Sequence, residues 1–202
     1  MFRAREFNIA ELEFFIHPEE KKCEELTNRH RDCKFKVIFA EDQEKGDEKL
    51  KDTSIGELID NKKLGEWHGY WLSEQIIWLR KIGLEDIKVR EHTDKELSHY
   101  SSATFDIDFE YPFGSKEIAG NANRGQFDLT QHINESNEKL EIFDEKTQKK
   151  VVPRVIEPTF GVERIFLALI TQGYVDDSDR GNKVLKLKPE IAPIKVAVYP
   201  LV

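Results

Sequence analysis

Cysteine is scarce in this sequence, with two residues, Cys23 and Cys33, among 202. They lie near His17 and His30 in HPEEKKCEELTNRHRDC. Two Cys and two His can make a zinc site, but the Cys-x₂-Cys pairing that gives such sites their signature is missing, and ordinary reduced thiols are the favoured reading. Long apolar runs are also lacking. None approaches the roughly 20 residues of a membrane span, and the charge from Arg3 onward does not suit a secretory leader, so a cytoplasmic protein without a disulfide is expected. A basic excess is lacking too. Lys and Arg number 31 against 39 Asp and Glu, for a formal net charge of -8. That argues against a generally basic nucleic-acid binder, while leaving room for an enzyme that meets nucleic acid through a local patch. What is present, 39% hydrophobic residues at a mean hydropathy of -0.60, fits a globular chain with a real core.

One stretch organises the rest: RVIEPTFGVERIFLALI, from Arg154 to Ile170. A β-branched run, Val151-Val152 and Val155-Ile156, predicts a strand that Glu157-Pro158 halts. From Gly161 a helix is expected, with Ile165, Phe166, Leu169 and Ile170 at helical spacing. Such a corner offers backbone N–H groups and a positive dipole end, which suit a polyphosphate. Arg164 adds a full charge in the first turn, and Glu157 stands ready for something cationic. A buried strand–helix corner with a surface arginine is the plainer alternative.

The opening segment, FRAREFNIAELEFF, read as a strand, places Arg3, Arg5, Phe7, Ile9 and Glu11 on one face. Arginines hold phosphates, a phenylalanine can stack on a base and an acid can bind an ammonium. Phe7 to Glu11 covers about 13 Å, roughly a nucleotide carrying a small group. An edge strand with solvated charges is the competing reading. Residues 16–66 are polar and read as a surface insertion with some β structure, including a short strand at FKVIFA. Residues 67–84 read as an amphipathic helix, with Leu72, Ile76, Leu79 and Ile82 in step and Gly83 as its C-cap. Tyr70, Trp71 and Trp78 are expected in the core. IKVRE, from Ile87 to Glu91, predicts a strand, and FDIDFEY, from Phe105 to Tyr111, alternates strongly. Its acids Asp106, Asp108 and Glu110 share a face that can bind metal or, more simply, stand in solvent. Glu117 falls on a short strand and Arg124 before a turn. Residues 134–150 suggest a hairpin or loop. After Ile170 a polar loop follows, and IKVAVYPLV reads as a buried-type strand.

Three separated stretches, FRAREFNIAELEFF, FGSKEIAGNANRGQFDL and VIEPTFGVERIFLALI, together with HYSSATFDIDFEYPFG, resemble glycyl-tRNA synthetase of the dimeric class II type. The resemblance implies an α+β fold: an antiparallel sheet with flanking helices, a partial class II catalytic core over residues 1–192, and the first strand of an anticodon-binding domain over residues 193–202. It implies that Phe2, Arg3, Arg5 and Phe7 lie on ATP, with Phe7 stacked on adenine and Arg3 catalytic beside Arg164. It implies further that Glu117, Ile118, Gly161 and Arg164 contact ATP, that Glu117 holds magnesium, and that Glu11, Glu157, Thr159 and Gly161 surround glycine. Thr159 stands where serine is usual in that family. Implied partners are glycine, ATP, tRNA-Gly and a second subunit. Motif 1 and the first strand of motif 2 do not appear, so the 202-residue chain alone is expected to be inactive or weakly active. A non-catalytic relic that binds a partner or RNA is the second reading, and a zinc module at Cys23 to Cys33 the third.

Overall fold

A computed structural model describes residues 7–47, 49–97 and 102–201. In chain order its strands and helices are β1 (Ile9–Glu11), β2 (Phe14–Ile16), α1 (Asn28–Arg31), β3 (Lys34–Ile38), α2 (Ala40–Gln43), β4 (Lys51–Ser54) and α3 (Ile55–Asp60). They continue with α4 (Glu66–Ile82), β5 (Ile87–Glu91), β6 (Ala103–Tyr111), β7 (Gly114–Gly125) and α5 (Phe127–Ser136). The last are β8 (Ile142–Asp144), β9 (Lys149–Val151), β10 (Arg154–Gly161), α6 (Val162–Gly173), β11 (Tyr174–Asp177) and β12 (Asn182–Leu185). The main sheet runs β1-β10-β7-β6-β5-β3-β4, with β2 also paired to β10. Its pairs are antiparallel except β3 with β5, which gives the expected α+β class.

Alternation along the strands separates two faces. Phe105, Ile107, Phe109 and Tyr111 of β6, Ile87 and Val89 of β5, and Phe35 and Val37 of β3 point to the back and are buried. There they meet Leu72, Ile76, Leu79 and Ile82 of α4 and Ile165 and Ala168 of α6 in one hydrophobic core. The helix α4 ends where its spacing says it should. Gly83 takes φ 115°, a left-handed cap that a side chain would strain; its N–H returns to the Arg80 carbonyl at 3.0 Å and the Leu84 N–H to the Leu79 carbonyl at 2.9 Å.

Several expectations change. The polar segment 16–66 is no mere surface insertion, because Cys33, Phe35, Val37, Ile55, Leu58 and Leu64 all enter the core. Trp78 is 42% exposed and packs its edge against Phe160 instead of joining the core. The polar loop after α6 is a hairpin, β11 with β12. Pro158 does not halt β10, which continues to Gly161. The reason lies in its neighbour: β1 pairs with β10 through Glu11 opposite Thr159, and β2 resumes at Phe14 opposite Ile156. The break at Leu12 and Glu13 faces Glu157 and Pro158, so the N–H that proline lacks is not called for, while the Pro158 carbonyl still accepts from Leu12 N–H at 3.0 Å. Residues 134–150 do carry a hairpin, β8 with β9. Residues 186–201 carry no helix or strand, and Ile194, Val196, Val198, Tyr199 and Leu201 are 75–104% exposed.

Candidate active site

The front of the sheet carries the charged side chains that line two cavities. Register places Glu11, Thr159, Gly120, Asp106 and Arg90 side by side across β1, β10, β7, β6 and β5. The next row holds Lys88, Asp108 and Glu117. Glu117 reaches this face through an irregularity. Ile107 pairs with Ala119 but Asp108 pairs with Glu117, so Ile118 is an extra residue in β7. Strict alternation from Gly120 would turn residue 117 toward the core. The bulge instead buries Ile118 and Ala119 together and turns Glu117 outward.

Two adjoining cavities open on this face and share Glu117 and Thr159. The first, about 190 Å³, is lined by Phe7, Glu11, Glu117, Thr159, Gly161 and Arg164 among others. Arg164 reaches from the first turn of α6 to β7, with Nη1 3.1 Å from the Glu117 carbonyl and 3.2 Å from its carboxylate. Gly161 makes room for that path: a Cβ there would lie 3.0 Å from Arg164 Cδ. The start of the helix is tied to the β1 segment by Asn8, whose backbone N–H donates to both carboxylate oxygens of Glu163 at 2.9 Å and whose carbonyl accepts from Val162 N–H at 3.1 Å.

The second cavity, about 180 Å³, is lined by His92, Thr104, Asp106, Glu117, Gly120, Asn121, Ala122, Arg124, Glu157 and Thr159. Gly120 and Ala122, with little or no side chain, make its hollow. At one end Arg124 Nη1 donates to both oxygens of Glu157 at 2.9 and 3.0 Å, while Nε holds Asp128 at 2.7 Å. At the other end Asp106 accepts from Arg90 and takes His92 Nε2 at 2.8 Å. Burial pushes the Glu157 carboxyl up, Arg124 opposes this, and Glu11 and Glu13 push it further. Burial raises Glu117, with Asp106 adding and Arg164 opposing. Asp108 rises to about 6, chiefly through burial. The Asp106 hydrogen bond raises His92. Crowded acids that resist ionisation are poised to accept a cation or an ammonium group.

No protein-family model matches the chain. It is 36% identical over 205 residues to the glycine–tRNA ligase of Caldanaerobacter subterraneus subsp. tengcongensis, covering 100% of this chain and 35% of that protein. It is 37% identical over 207 residues to the Mesoplasma florum glycine–tRNA ligase, covering 100% of this chain and 36% of that protein. The chain belongs to the glycine–tRNA ligase family. It spans about a third (35% and 36%) of the length of those relatives. Among solved structures, Giardia lamblia prolyl-tRNA synthetase in complex with prolyl-adenylate is similar over 51% of this chain and 19% of that one, at TM-score 0.39 and 16% identity, too slight a likeness to bear on the fold.

Of the residues that the glycine–tRNA ligase resemblance selects, Phe7, Glu11, Glu117, Thr159, Gly161 and Arg164 meet in the first cavity, and Glu157 joins Glu117 and Thr159 in the second. Phe2, Arg3 and Arg5 lie outside the described residues. The Ile118 side chain is fully buried behind the sheet and reaches neither cavity. Asp106 and Asp108 correct the solvated-face reading: they are 8% and 13% exposed and engage Arg90. Glu110 is 49% exposed, and its charge pairs with Lys88. The zinc reading finds its residues otherwise engaged, His30 with Glu74 at 2.8 Å and His17 with Asp144 at 3.7 Å. Among the described residues no group of three or more His, Cys, Asp or Glu is placed to hold a metal ion, and none has a long apolar helix fit to cross a membrane. Sequence reasoning missed His92, Arg90 and the Arg124–Glu157 pair. The parity of FDIDFEY placed Asp106 with its neighbours on one face, but no local pattern joins Arg124 to an acid 33 residues away.

Proposed function

We propose that this chain forms part of a glycine–tRNA ligase, activating glycine with ATP to glycyl-adenylate for transfer to tRNA-Gly. The observation that carries this is the pair of adjoining cavities, which gathers an aromatic ring, an arginine at a helix start and an acid-rich hollow from both ends of the sequence. In this reading adenine lies on Phe7 and the phosphates meet Arg164 and the start of α6. Glycine lies where Thr159 joins the two hollows, its ammonium between Glu11 and Glu157. One glycine carboxylate oxygen attacks the α-phosphorus, the bond to the β-phosphate bridge breaks, and pyrophosphate leaves with the electron pair. No side chain becomes covalently attached. The protein positions the reactants and supplies charge.

The site fits magnesium in a limited way. Glu117 offers a half-exposed carboxylate whose protonation is favoured by burial and by Asp106, a bias that a cation would reverse. A lone carboxylate suits an ion held mainly by phosphates and water. When bound, magnesium would neutralise phosphate charge. tRNA-Gly and a second subunit belong to the same proposal.

Glu157→Gln tests it. A charge-assisted bond to an ammonium is worth about 1.5–3 kcal/mol, or about 10–100-fold in affinity. Calorimetry on the chain should show glycine weakened by that factor and ATP little changed. Equal losses for both ligands would sink the assignment.

A further inference from the structure

We infer that Gln75, which stands behind the sheet and touches neither front cavity, is a positioning residue for the glycine end of the site; this rests on the function proposed above. Gln75 lies on α4 and is 2% exposed. A buried glutamine is costly unless its amide is satisfied. Here both hydrogens of Nε2 are used, and on different strands: one goes to the Gly120 carbonyl of β7 at 2.9 Å, the other to the Thr159 carbonyl of β10 at 3.1 Å. Its Oε1 accepts from Asn121 Nδ2 at 2.6 Å. Gly120 and Thr159 are direct cross-strand partners. One amide therefore pins, from the core side, the two residues whose front sides form the junction of the cavities.

The consequence reaches the front through Gly120. Its carbonyl also accepts from Thr159 Oγ1 at 3.4 Å. A hydroxyl that donates to that carbonyl turns its lone pairs outward, where they can accept from an ammonium. The spacing is tight, since a Cβ on Gly120 would lie 2.9 Å from Thr159 Oγ1. A shift of either carbonyl thus moves the acceptor, and Gln75 holds both. His68, two turns earlier on the same face of α4, offers an internal comparison. It hydrogen-bonds to Asn121 of β7, whose carbonyl lies at 3.2 Å, and its ring packs edge-on against Phe105, but no hydrogen bond of His68 ties two strands together.

Gln75→Met keeps the bulk and removes both donors. In this variant we expect the carbonyl carbon signals of Gly120 and Thr159 to move in NMR, and the glycine dissociation constant to rise about tenfold while that of ATP changes less than threefold. His68→Gln should lower stability without that split. Gln75→Glu should recover glycine affinity, relative to wild type, as pH falls, because only the protonated carboxyl can donate. Unmoved Gly120 and Thr159 signals, or a loss of glycine and ATP affinity by one common factor, would overturn the inference. A wild-type chain that binds neither glycine nor ATP would instead overturn the function reading, and the carbonyl signals would then decide whether Gln75 shapes the site.

Discussion

Glu157 is held as an anion in a place that disfavours anions. Its side chain is 11% exposed, and burial raises its pKa even with Arg124 bound to both oxygens. Breaking a buried pair by removing one partner typically costs 3–5 kcal/mol, much of it for the charge left behind. Arg124 is 23% exposed, so we expect Arg124→Leu to lie at the low end, about 3 kcal/mol by denaturant unfolding. Adding Glu157→Gln removes the stranded charge and should restore part of that loss. If the double variant is less stable than Arg124→Leu alone, the pair does not couple as its geometry says. Thr159 poses the opposite case, a neutral group whose hydroxyl direction is set by the Gly120 carbonyl. Thr159→Ser keeps the oxygen and removes a methyl from the junction, so glycine should still bind. Thr159→Val keeps the shape without the hydroxyl and should weaken glycine by about tenfold, since a hydrogen bond to a charged group is worth about 1.5 kcal/mol or more. Equal affinities for the serine and valine variants would remove the hydroxyl from the site.

At the scale of elements, α4 and β6 bury groups with opposed pH behaviour. His68 on α4 is 2% exposed, and burial lowers its pKa to about 4. The unfolded chain binds a proton there near pH 6.5 and the folded chain does not, so acidification from about 6.5 to 4 favours unfolding, by up to about 3 kcal/mol. Asp108 on β6 rises to about 6. Here the folded chain takes up the proton first, so its contribution to stability grows as pH falls from about 6 to 4, again by up to about 3 kcal/mol. The two nearly cancel in the wild type. His68→Gln should therefore gain stability relative to pH 7 when acidified to pH 4.5, and Asp108→Asn should lose it, as read by urea unfolding at each pH. Parallel pH profiles for both variants would refute the opposition. Much of this architecture was legible in the residues: the spacing of Leu72, Ile76, Leu79 and Ile82 marked α4, Gly83 its end, and FDIDFEY β6. What escaped depended on neighbours that sequence periodicity does not contain. Pro158 stays in β10 because β1 and β2 part opposite it. Glu117 faces the front because Ile118 is bulged, and Asp106 is covered because Arg90 and His92 arrive from the next strand. The candidate site was legible as a list of residues on the strength of a resemblance. Its division into two hollows, its Arg124 clamp and its support from Gln75 belong to the folded arrangement.

Across the whole molecule the sheet acts as a partition, with the proposed binding groups in front and the core behind, and the two faces should answer differently to substitution. Ile76 is fully buried behind the sheet. Truncating such a side chain to alanine typically costs 2–5 kcal/mol, a large share of the roughly 5–15 kcal/mol that holds a domain together. For a chain of this size that predicts a fall in melting temperature of about 5–15 °C for Ile76→Ala. Glu117 lies in front, 46% exposed, and pairs with Arg164. A pair this open contributes at most about 1 kcal/mol, so Glu117→Gln should shift melting by no more than about 3 °C. Its effect should appear in the magnesium dependence of ATP binding, which weakens as the carboxylate is lost. Ligand-free melting curves together with ATP titrations at low and high magnesium give both readings on the same samples. A large melting shift for Glu117→Gln with unchanged magnesium dependence would make Glu117 a structural residue and break the partition at the point where the bulge of β7 turns it outward.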